Sequence, residues 1–114
     1  MRVFQALGAC TLLVSLGLAG CATPDRFEWG SYDSALYAYS KHPDHLPQFE
    51  TALQDAIAKG RASGRLAPGL QAELGYLYLG EGKRADAIEQ FKAEMADFPE
   101  SRPLLTKIIA QNAG

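Results

Sequence analysis

Apolar side chains in residues 30–112 recur with the period of an α-helix and nowhere sustain an alternation of period two, which confines this part of the chain to an all-α fold. Tyr32, Ala35, Leu36 and Tyr39 fall at i, i+3, i+4 and i+7 and predict a first helix, stopped by Pro43. Leu46, Phe49, Leu53, Ala56 and Ile57 draw a second stripe, with Gly60 expected as its C-terminal cap. Leu70, Leu74, Leu77 and Tyr78 draw a third, opened by Pro68, where a missing backbone donor costs little. Ala85, Ile88, Phe91, Met95 and Phe98 draw a fourth, ended by Pro99. Ser101 is placed to cap a last short helix carrying Leu104, Leu105, Ile108 and Ile109.

The first twenty residues are of another kind. Met1 and Arg2 give a positive start, and Val3 to Ala19 contains no charged residue, the layout of a secretory signal. At about 17 residues the stretch is at the lower margin for a bilayer-spanning helix, so its C-terminal end has to decide. Leu18-Ala19-Gly20-Cys21 resembles the bacterial lipobox. The resemblance implies that residues 1–20 are removed as a lipoprotein signal peptide and that Cys21 becomes the acylated first residue. Each acyl chain would contribute about 0.8 kcal/mol per buried methylene, so several chains give lasting attachment. Ala22 stands where lipoproteins of Gram-negative bacteria retained in the inner membrane commonly carry Asp, and by that resemblance the protein is expected on the outer membrane, facing the periplasm. Residues 21–29 are then the acylated cysteine and a short polar tether, reaching within roughly 25 Å of the bilayer. Cys10 lies in the leader, so no intrachain disulfide is expected after processing.

Counted from Pro68, Leu74-Gly75, Tyr78, Gly82, Ala87, Phe91 and Pro99 sit at spacings that resemble a tetratricopeptide repeat, a helical hairpin of about 34 residues. The resemblance implies that Gly75 and Ala87 let the two helices approach while Tyr78 and Phe91 fill the wedge between them. Two positions depart from it: Gln71, where Trp or Leu is usual, and Glu94, where Ala is usual. Residues 30–64 look like a degenerate copy, with Tyr39 in the place of Tyr78. A lone hairpin cannot bury its apolar face, so the first pair and the last helix are expected to cover it, giving a five-helix mini-solenoid over 30–112. Trp29-Gly30-Ser31-Tyr32, Leu36-Tyr37-Ala38-Tyr39, Pro68 to Tyr76 and Phe98-Pro99-Glu100-Ser101 together resemble a family of short proteobacterial lipoproteins of unassigned function. Its members are commonly encoded beside a lipoprotein similar to the curli-secretion pore subunit. The resemblance implies membership in an envelope assembly or secretion complex, with other envelope lipoproteins as partners, and brings no catalytic residues.

The residues themselves point away from chemistry. Eleven basic residues less Arg2 leave ten against thirteen carboxylates, without the basic face that a nucleic-acid partner would require. His42-Pro43-Asp44-His45 is the one cluster resembling metal-ligand chemistry, but Pro43 keeps the two histidines off one helix face and no third His or free thiol completes a zinc site. Glu73, Glu81, Glu89 and Glu94 are expected on solvated helix faces, and Gly80-Glu81-Gly82-Lys83 as an interhelical turn. No catalytic, cofactor-binding or metal residue is assigned, and an enzyme is not expected. Tyrosines are the informative side chains: on a tetratricopeptide hairpin the first helix lines the concave surface, which puts Ala72, Tyr76 and Leu79 there, with Tyr37 in the place equivalent to Tyr76. Tyr37, Tyr76 and Leu79 are the candidate partner-binding residues of an outer-membrane-anchored interaction module. The alternative is a periplasmic lipoprotein that binds a small ligand or glycan. Cys21→Ser is expected to abolish fatty-acid labelling and Ala22→Asp to hold the protein in the inner membrane; label still entering Cys21→Ser would contradict the lipobox.

Overall fold

The computed structural model describes residues 25–113, so the leader, Cys21 and Ala22 lie outside the described residues. Five α-helices carry the chain: α1 (Tyr32–Lys41), α2 (Leu46–Ser63), α3 (Leu70–Gly80), α4 (Arg84–Asp97) and α5 (Arg102–Asn112). Each packs on the next in sequence, with the α3–α4 hairpin the most extensive pairing. Short 3₁₀ turns at Pro43–His45 and Pro99–Ser101 lead into α2 and α5. Among the described residues no helix is long and apolar enough to cross a membrane, and the all-α expectation is met.

The core has two parts. Phe49, Leu53, Ala56, Ala67, Leu70 and Leu74 form the first, and Tyr32, Ala35, Leu36 and Tyr39 of α1 pack against it as a half-buried cover. Phe49 is its aromatic centre, stacked on Tyr39 at 5.2 Å and tilted against Tyr32 at 5.9 Å. The second part is Ala87, Phe91 and Leu105, joining α4 to α5. Tyr78 touches both parts. Its hydroxyl accepts a hydrogen bond from Gln54 Nε2 at 2.8 Å, so the half-buried ring keeps its polar end satisfied at the surface. Gly75 lies where α3 crosses α4, and a Cβ placed on it would come within 2.6 Å of the Phe91 ring. The missing side chain makes room for an aromatic ring rather than for the opposing backbone.

Four local expectations are corrected. Gly60 does not end α2: the helix continues to Ser63 and turns at Gly64 with φ +68, where Arg65 N–H donates to Gly60 O at 2.9 Å and Gly64 N–H to Arg61 O at 3.3 Å. Gly60 is buried instead because Leu66 passes over it, 2.7 Å from where a Cβ would be. Pro68 sits in the turn before α3 and not in its first turn. Ser101 Oγ donates back to Phe98 O at 2.7 Å and caps no α5 amide. The buried face of α4 is Ala87, Phe91 and Glu94, which leaves Ala85 exposed.

The tether expectation also changes. Residues 25–29 are strapped to the loop between α2 and α3, where Glu28 and Leu66 form an isolated parallel β-bridge. Glu28 N–H donates to Arg65 O at 2.8 Å, Arg65 Nη1 to Asp25 O at 2.9 Å, and Arg65 Nη2 pairs with Glu28 Oε2 at 3.0 Å. Phe27 and Trp29 pack half-buried against the first core. Apolar Phe and Trp in so short a segment gain more by covering the core than by staying in water.

Gly75→Leu is expected to lower stability by about 1–3 kcal/mol, because the new side chain must displace the Phe91 ring. Gly80→Ala, a helical position with nothing within 4 Å of a Cβ, is expected to raise it by up to about 1 kcal/mol. Thermal unfolding of both variants checks the pair, and an unchanged or higher melting temperature for Gly75→Leu would place the crossing elsewhere.

Candidate functional site

The candidate residues lie on α1 and α3, the first helix of each pair. Tyr37 on α1 is 66% exposed, and the Lys41 ammonium one turn later lies over its ring at 5.6 Å. Tyr76 on α3 is 46% exposed, its ring set edge-on against buried Phe91 at 5.3 Å. Leu79, one turn beyond Tyr76, is half-buried against the second core, and Ala72 lies with it. Tyr76 and Leu79 thus share one face of α3. No ring contact joins Tyr37 to Tyr76 among the described residues; α1 reaches α3 through Tyr32, whose hydroxyl donates to Glu73 Oε2 at 2.8 Å. Burial and the carboxylate beside it push that tyrosine up to about 12.

The interior holds polar groups that periodicity assigned to solvent. Gln71 and Glu94, the two departures from the repeat pattern, are 1% and 2% exposed and lie together. Gly69 N–H donates to Glu94 Oε1 at 2.6 Å, and the amides of Gln71 and Ala72 also favour its charged form. A carboxylate from α4 therefore serves the open amides at the start of α3, where the helix dipole favours negative charge. Gln71 Oε1 accepts from Arg61 Nη2 at 2.7 Å while its Nε2 donates to Asp97 Oδ2 at 2.9 Å, and Arg61 pairs with Asp97 at 3.0 Å. These four side chains tie α2, α3 and α4 into one network. Burial pushes the Glu94 carboxyl up, and the facing amides oppose that shift without cancelling it.

A second carboxyl pair lies near the turn between α3 and α4. Burial raises the Glu50 carboxyl, whose Oε1 has no hydrogen-bond partner, and Glu81 beside it adds to that shift, while Lys83 at 3.1 Å holds Glu81 down. Neither residue lines the grooves beside α1, beside the strap or between α4 and α5. The imidazoles of His42 and His45 come to 5.5 Å, closer than the interruption at Pro43 suggested. Pro43 does end α1, but the 3₁₀ turn it begins has three residues per turn and brings positions i and i+3 together. Among the described residues no group of three or more His, Cys, Asp or Glu could hold a metal ion.

Residues 27–108 match a family described as a domain of unknown function, DUF4810. No curated protein and no solved structure matches the chain.

Glu94→Ala is expected to cost about 1–3 kcal/mol by orphaning the Gly69 amide, whereas Glu94→Gln, which keeps an acceptor, should cost less. The raised carboxyl binds its proton more tightly in the folded state. Its contribution is therefore fully present below the ordinary carboxyl value of 4.5 and declines as pH rises above it. Glu94→Gln removes that decline, so the difference in stability between the variant and the parent should move in the variant's favour as pH rises; a difference independent of pH would contradict the assignment.

Proposed function

The chain belongs to the DUF4810 family, and on that premise we propose that it is an outer-membrane lipoprotein, anchored through Cys21, whose helical domain binds other envelope proteins as an adaptor or accessory subunit of an assembly or secretion complex. One observation carries the reading: Tyr37 and Tyr76 are two of the three large hydrophobic side chains that the described domain exposes, and both stand on first helices of a hairpin. Tyrosine supplies contact area at low entropic cost, which suits an interface anchor. The hairpins are read as tetratricopeptide-like, supported by the seat of Phe91 on Gly75, by buried Ala87 and by the turn at Gly82. A partner similar to the curli-secretion pore subunit is favoured by the resemblance of residues 29–109 to lipoproteins encoded beside such a protein.

A small-ligand or glycan binder has one feature in its favour, the groove between α4 and α5 with Ala85, Ile88 and Ile109 on its floor and Lys92 at its rim. The groove is open to solvent, whereas small-ligand sites bury most of the ligand. The adaptor is the better reading.

Tyr37→Ala and Tyr76→Ala test it by pull-down of the pore-like lipoprotein, alongside thermal unfolding of the domain from Asp25 onward. A truncated anchor commonly costs more than about 2 kcal/mol of binding. Tyr37→Ala should lose pull-down with unchanged melting. Tyr76→Ala should lose pull-down with a small fall in melting, since its ring rests on Phe91. Normal pull-down in both variants would return the tyrosines to packing.

A further inference from the structure

We propose that the strap of residues 25–29 fixes how the domain sits on a lipid bilayer, with the edge carrying Arg26, Phe27 and Arg65 against the phospholipid headgroups. The proposal rests on lipid attachment at Cys21. If that residue carries the acyl chains, three residues separate it from Asp25, whose carbonyl oxygen is already held by Arg65 Nη1 at 2.9 Å. From Cys21 to Asp25 the chain reaches about 14 Å at most, at about 3.6 Å per residue. A free tether extending to Tyr32 would reach more than twice as far and leave the domain to tumble. Two backbone-directed hydrogen bonds, an ion pair and the packing of Phe27 and Trp29 keep the strap closed.

The chemistry of that edge suits a headgroup layer. Arg26 is exposed, pairs with no carboxylate among the described residues, and lies over the Phe27 ring at 5.4 Å. A guanidinium can take a lipid phosphate bidentately, and an aromatic ring is at home at the boundary between headgroups and acyl chains. Beside Phe27 a groove floored by Leu66 and Phe98 adds apolar surface at the same edge. From this edge α2 runs about 26 Å, at 1.5 Å per residue, to the Pro43–His45 turn, so that turn and the end of α1 beside it mark the far end of the domain from the strap.

The test uses the full chain, processed and acylated in a Gram-negative host, then reconstituted into vesicles of phosphatidylethanolamine and phosphatidylglycerol carrying a headgroup-spin-labelled lipid. Ser63→Cys marks the strapped edge and Asp44→Cys the far end, both exposed. Acylation consumes the Cys21 thiol and Cys10 leaves with the leader, so each variant offers one thiol to a fluorophore. The expected result is a large loss of fluorescence at position 63 and little at 44. Adding Arg65→Ala, with folding checked by circular dichroism, should open the strap and bring the two values together. Equal quenching at both positions, in protein that floats with the vesicles, would overturn the orientation and leave the anchor standing. Protein that does not float would overturn the anchor and the orientation with it.

Discussion

A carboxyl group buried between helices needs donors for its charged form, and Glu94 has them at one oxygen only: Oε1 faces the Gly69 amide, while Oε2 is buried without a hydrogen-bond partner and burial pushes the group up. At 2% exposure its carboxyl group accepts the Gly69 amide at 2.6 Å, where α3 begins. α3 has no side-chain cap of its own, so the acceptor comes from the second helix of the same hairpin. Gln71 then joins Arg61 of α2 to Asp97 of α4. The two cores, one under α1 and one under α5, meet around this hairpin and share Tyr78.

Helical periodicity was enough to read the number and order of the helices, because burial of an amphipathic stripe is a one-dimensional signal. It was not enough for α4, where Glu94, expected on a solvated face, takes an inward position, nor for Gly60, whose neighbour Leu66 is brought over it by the returning loop. Long-range contacts of this kind leave no local trace. One signal was present: Gln71 and Glu94 were the two departures from the repeat pattern, and both turn out to be buried polar groups, Gln71 bonded to Arg61 and Asp97 and Glu94 to the Gly69 amide.

Tyr37 and Tyr76 were legible as positions outside the apolar stripes of α1 and α3, and both are exposed, whereas Leu79 of the same candidate set is half-buried. The degree of exposure was not, because Lys41 over Tyr37 and Phe91 under Tyr76 depend on rotamers and on the crossing of α3 with α4. Residues 25–29 were read as a polar tether from their charges, whereas Phe27, Trp29 and the reach of Arg65 from forty residues away decide their conformation. A strap in place of a loose linker turns the proposed membrane attachment from a question of reach into one of orientation.

The central structural claim is that Gln71 and Glu94 compensate each other, and a double-mutant cycle tests it most directly. Gln71→Leu and Glu94→Ala restore the residues usual in the repeat, singly and together, with stability read from chemical unfolding of the domain. Gln71 is among the groups that favour the charged form of the Glu94 carboxyl, so each change alters the surroundings of the other residue, and the double variant is predicted to be more stable than the sum of the two losses by more than about 0.5 kcal/mol. Losses that add to within that margin would contradict it.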